Sequence, residues 1–136
     1  MTVEELIKDI RSIDISKGEV LIPGKAVYVK RKAWNPNTCK RDYIHEYVVL
    51  LNEGKKVGGI LLMDDMDLFL VVFKRSRGKH FMSSFLKSGW IQKLSPKLKR
   101  LTTQYFPIDP EYEAVKHFAE ILNVGFKSPV EKIERP

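Results

Sequence analysis

Apolar and polar positions alternate along this chain with two different periods. Val3, Leu6, Ile7, Ile10 and Ile13 follow the 3.6-residue spacing of a helix with one buried face. Thr2-Val3-Glu4-Glu5 fits a capping box ahead of them, so a helix is predicted over about 2–13. Ser16-Lys17-Gly18 breaks it, and Glu19–Ile22 reads as a short strand stopped by Pro23-Gly24. From Ala26 to Trp34 the period is two: Val27, Val29 and Ala33 on one side, Tyr28, Lys30, Lys32 and Trp34 on the other, with Arg31 the exception on the apolar side. Asn35-Pro36-Asn37 marks a turn in a polar loop reaching Asp42.

Tyr43–Leu51, Val57–Met63 and Asp67–Phe73 are three further strands, separated by the hairpin turns Asn52-Glu53-Gly54-Lys55 and Asp64-Asp65-Met66. The last strand is nearly all apolar, as expected for a central strand covered on both faces. After a basic loop over Lys74–Lys79, His80–Lys87 predicts two helical turns ending at Gly89, and Ser95-Pro96 opens another basic piece ending near Arg100. Leu101–Phe106 reads as an edge strand or extended segment. Asp109-Pro110-Glu111 is a helix start, and Val115, Phe118, Ala119 and Leu122 form its apolar stripe. The expected architecture is α+β. A curved antiparallel sheet or small barrel of about five strands is flanked by an N-terminal and a C-terminal helix. Residues 1–126 form one domain, and 127–136, polar with two prolines, form a frayed tail.

The composition narrows the class. The 136 residues carry one cysteine, Cys39, which excludes an intrachain disulfide framework and a four-cysteine zinc site and suits a reducing cytoplasm. The N-terminus lacks the features of a signal peptide. The longest apolar run, Leu68–Phe73, is far short of the ~18 residues of a membrane span. The net charge of +7 is unevenly spread. Residues 74–104 hold nine basic and no acidic groups, residues 21–52 hold six basic and two acidic, and every other stretch is mildly acidic. Uninterrupted like charge repels itself when folded and attracts a polyanion, whose counterions are released on binding.

This sorting predicts a nucleic-acid-binding protein. Lys74, Arg75, Arg77, Lys79, Lys87, Lys93, Lys97, Lys99 and Arg100 would contact phosphates. Lys30, Lys32 and Trp34 would add charge and base stacking from the strand face. Tyr43, His45 and Tyr47 would join that face if the two strands pair in the right register. Two other readings compete. A metal-independent ribonuclease could use His80 or His45 as general base, with Arg77 or Lys79 stabilising the transition state. A protein-interaction or inhibitor module could dock its basic face on an acidic partner, and the acidic terminal helices leave room for a homodimer through opposite charges. His117 reads as a partly exposed helix residue. Asp64, Asp65 and Asp67 read as hairpin residues, and no metal or other cofactor is called for.

Overall fold

A computed structural model of the chain describes residues 1–129. The first helix, α1 (Val3–Ser12), begins where the Thr2 hydroxyl accepts the Glu5 N–H at 3.1 Å. A single 3₁₀ turn then leads into the strands β1 (Glu19–Ile22), β2 (Ala26–Asn35), β3 (Lys40–Asn52), β4 (Lys55–Leu62) and β5 (Asp67–Val72). Each pairs antiparallel with the next. The short helices α2 (Phe81–Lys87) and α3 (Trp90–Leu94) carry the chain to β6 (Arg100–Thr102), and α4 (Tyr112–Leu122) carries it on to β7 (Gly125–Lys127). Both of these strands pair in parallel, because each is reached by a helical crossover rather than a hairpin.

The α+β class is as expected, but the sheet is not a closed five-stranded barrel. It is open and mixed, with seven strands among the described residues in the sequential order β1 to β7. Of the last two strands, β6 falls at the start of the segment read as an edge strand or extended, and β7 was not expected. They are three residues long, too short for periodicity, and form because neighbours across the sheet complete their hydrogen bonds. Three local details also differ. Gly89, at φ 85°, stops α2 just after its C-cap Ser88, as expected, but it also serves as the N-cap of α3, a helix absent from the expectation. Asp109 caps a turn by accepting the Phe106 N–H at 2.6 Å, so α4 begins at Tyr112 instead. Of the tail predicted to fray, Lys127 closes β7, and residues 130–136 lie outside the described residues.

Both faces of the sheet are covered. Leu6 and Ile10 of α1, with Ile13 just past its end, pack on Val27, Tyr47, Val49, Leu61 and Val71. On the other face α2, α3 and α4 pack on Val48, Leu50, Ile60, Leu62, Leu68 and Leu70. Adjacent residues of β3, β4 and β5 thus enter opposite cores, which explains their unbroken apolar runs. Close approach of α1 to the sheet requires Gly59: a Cβ there would sit 2.6 Å from Ile10 Cδ1 and 3.0 Å from the Val48 carbonyl oxygen. Lys56, whose pKa burial pushes down, reaches across to the C-terminal end of α1. Its ammonium donates to the carbonyls of Ile10 (3.0 Å), Arg11 (3.0 Å) and Ile13 (2.5 Å). It thereby satisfies helix-end acceptors and opposes the negative end of the dipole. Among the described residues no helix is long and apolar enough to cross a membrane.

The Gly59 contact is testable. Gly59→Ala is expected to cost about 1–3 kcal/mol by overpacking. Combined with Ile10→Val, which removes the nearest clashing methyl, the double variant should be more stable than the sum of the single losses predicts. Urea denaturation of the four proteins measures the coupling, and strictly additive losses would contradict it.

Candidate functional site

Strands β2 and β3 continue to pair beyond the rest of the sheet. β1 reaches β2 only as far as Tyr28, and β4 meets β3 only from Glu46 onward. The pairs Lys32↔Ile44, Ala33↔Tyr43 and Asn35↔Lys40 therefore form a two-stranded ribbon with, among the described residues, no strand on either side. At ~3.3 Å per residue it extends about 13 Å past Arg31 before its turn. Residues 30–45 include the five cations Lys30, Arg31, Lys32, Lys40 and Arg41 and one carboxylate, Asp42. Asp42 is engaged by the Thr38 hydroxyl at 2.8 Å. Three large apolar side chains are also exposed here: Trp34 at 58%, Tyr43 at 47% and Ile44 at 48%.

The register sorts these groups by face, since residues directly opposite each other in an antiparallel pair share a side. Val29↔Tyr47, Arg31↔His45 and Ala33↔Tyr43 place the aromatic row of β3 with Arg31. Lys30 and Lys32 lie on the other side, opposite Glu46 and Ile44, and Trp34 follows them by alternation along β2, where the register slips between Ala33 and Asn35. The single aromatic and basic surface that a favourable register would have made is not formed. The root of the ribbon is fastened on both faces. Arg31 donates to Ser12 Oγ at 2.7 Å, lies 3.5 Å from Asp9 and covers the Tyr47 ring at 5.3 Å. Tyr47, its pKa pushed up to about 12 chiefly by burial, keeps its hydroxyl proton and donates to Asp9 at 3.2 Å. On the opposite face Tyr28, raised above the ordinary tyrosine range first by burial, donates to Glu46.

The basic stretch 74–100 does not form one platform. Lys74 and Arg75 occupy a 3₁₀ turn just past the C-terminal end of β5, with exposed Lys79 beyond. Lys97, Lys99 and Arg100 lie at the other end of β5, where Asp67 pairs with Arg100. The six residues of β5 hold the two groups about 17 Å or more apart. Following the register through Lys30↔Glu46, Glu46↔Leu62, Leu62↔Leu68 and Leu68↔Leu101 puts the Lys97–Arg100 group at the ribbon's end of the sheet. Several of these cations are already committed. Arg100 bonds the nearly buried Asp67 at 2.9 Å. Lys93 lies 4.9 Å over the Trp90 ring. Arg77 is only partly exposed: it donates to Glu111 at 2.8 Å, to Tyr105 at 3.3 Å and to the Val72 carbonyl at 3.1 Å. Lys87, on α2, is exposed.

The histidines are also separated. His45 lies on β3 between Tyr43 and Tyr47, its ring 6.0 and 6.2 Å from theirs. His80 precedes α2 in the left-handed region at φ 64°, at the rim of a cavity of about 430 Å³ between β5, α2 and α4. Arg77 and His117 line the same cavity, so His80 and Arg77 are brought together and His45 is not. His117 joins His80 only because α4 folds back over the end of β5; nothing in their spacing signals it. Asp64 serves a local turn, accepting the N–H groups of Met66 and Asp67, whereas Asp67, the first residue of β5, accepts from Arg100 and the Thr102 hydroxyl across the sheet. Among the described residues no group of three or more His, Cys, Asp or Glu is placed to hold a metal ion.

Comparison of the chain with protein-family models, curated proteins and solved structures finds no match.

The cations of the 74–79 loop should separate cleanly in stability. Arg77→Ala leaves Glu111 without its partner beside the core and should cost about 1–2 kcal/mol. Lys74→Ala and Arg75→Ala, on exposed side chains, should each stay within about 0.5 kcal/mol of the parent. Chemical denaturation of the three variants checks this ordering.

Proposed function

We propose that the protein binds nucleic acid with the projecting β2–β3 ribbon. The observation that carries this reading is the ribbon itself. It is a narrow element standing clear of the sheet, rich in cations, with an exposed indole on its lysine face. A two-stranded ribbon fits the major groove of a duplex, which is about 12 Å wide. Lys30, Lys32, Lys40 and Arg41 are exposed and, among the described residues, in no ion pair. Each is free to replace a counterion at a phosphate. Trp34 offers a stacking surface to an unpaired base, and Lys97 and Lys99, at the same end of the sheet, extend the positive surface. Lys74, Arg75 and Lys79 face the opposite end and contribute only long-range attraction.

The ribonuclease reading draws weaker support. Of the two cations it offers for a transition state, Arg77 is already bonded to Glu111 and Tyr105, and Lys79 is exposed outside the lining that holds His80. The acidic-partner reading uses the same ribbon and is separated by the binding measurement.

With about four phosphate contacts, log K for duplex DNA should fall against log salt with a slope of about −3 to −4, a loss of roughly 100-fold between 50 and 200 mM salt. The triple variant Lys32→Glu, Lys40→Glu, Arg41→Glu should abolish measurable binding. The triple variant Lys74→Glu, Arg75→Glu, Lys79→Glu should reduce it only modestly. Fluorescence anisotropy with labelled duplex and single-stranded oligonucleotides reads both. Affinity insensitive to salt, or equal losses in the two variants, would overturn the assignment.

A further inference from the structure

The cavity between β5, α2 and α4 lies at the end of the sheet remote from the ribbon, and nucleic-acid binding makes no use of it. Its volume of about 430 Å³ falls within the ~300–1,000 Å³ range of small-molecule sites. Leu70 and Val72 of β5, Met82 of α2 and Phe118 of α4 supply apolar walls. One polar wall is prebuilt. Arg77 is held by Glu111 and Tyr105, and burial raises the Tyr105 pKa, keeping that hydroxyl protonated. Arg77 and Glu111 offset each other's charge, and Lys87, which is in no ion pair among the described residues, adds a positive charge to a lining that also carries the rings of His80 and His117. His80, held in the left-handed region, adds a ring nitrogen at the rim. A non-glycine residue in that conformation is kept only where its surroundings enforce it.

We propose that this cavity binds a small amphipathic monoanion, an aryl or medium-chain carboxylate. Its apolar end lies against Leu70, Met82 and Phe118, and its carboxylate lies at the mouth beside Lys87. An uncharged hydrocarbon would fill the same walls but forgo the ammonium. A dianion or phosphate ester would bring more charge than the lining balances, with Glu111 nearby. The site is independent of the ribbon, so either assignment can fail without the other.

The test uses the full chain and the probe 8-anilinonaphthalene-1-sulfonate, an aromatic monoanion whose emission rises in apolar surroundings. Saturable one-to-one binding is expected, displaced by decanoate and much less by decanol. Ala114→Trp, on the exposed lining of α4, should fill the cavity and weaken the probe at least tenfold. Lys87→Glu should weaken it roughly fivefold through lost attraction and added repulsion. The ribbon triple variant should bind the probe as the parent does. Circular dichroism and thermal melting establish that each variant is folded, and Lys87→Glu keeps the test decisive should Ala114→Trp misfold. Absence of saturable binding to the parent, binding unaffected by both cavity variants, or displacement by decanol as readily as by decanoate would overturn the proposal.

Discussion

Strands β4 and β5 are apolar on both of their faces, and that constraint shapes everything else. Ile60 and Leu61, or Leu70 and Val71, are neighbours in sequence yet enter different cores. A sheet built on such strands is stable only if each face is covered. One helix suffices on the first side because it lies close, seated over Gly59 and fastened by Lys56. The other side needs the three helices of the parallel crossovers. With both faces occupied, polar chemistry is left to the ends of the sheet. The ribbon projects from one end, and the cavity opens at the other.

The cations divide into two populations that net charge does not distinguish. Arg31, Arg77 and Arg100 each join separate elements: β2 to α1, the loop after β5 to the start of α4, and β6 to β5. Arg11 covers the Phe73 ring at 4.9 Å. These contacts use the planar fork of guanidinium, which makes several directed bonds at once and stacks on rings. The cations in no ion pair are mostly lysines on the ribbon, in the loops and on the helix surfaces. A basic site is therefore better located by the exposed lysines and Arg41 than by counting basic residues in a segment.

Much of the architecture was legible in the residues. Helix α1, the strands from Glu19 to Val72, and the stripe Val115, Ala119, Leu122 follow local periodicities, because the register of side chains against a core repeats within each element. What was missed is nonlocal. β7 was not foreseen and β6 only as an edge strand or extended piece, because both have too few residues for a period and exist through parallel pairing. α3 hides behind Gly89, which ends α2 and at once begins a second helix. For the candidate site, the cationic character of Lys30, Lys32 and Trp34's strand was plain. Its projection beyond the sheet was not, because that depends on where β1 and β4 stop pairing. Arg77 resembled a free phosphate contact because its partners Tyr105 and Glu111 are distant in sequence.

The sequence alone determined the helical and strand periods, the two-sided burial of β5 and the segments that hold the excess charge, since each depends on neighbours along the chain. The tertiary structure decided which cations remain free, which face each aromatic residue occupies and that His80 and His117 share one cavity. Those outcomes depend on strand register and crossover packing. A shift of one residue in register exchanges the faces without altering a single local pattern.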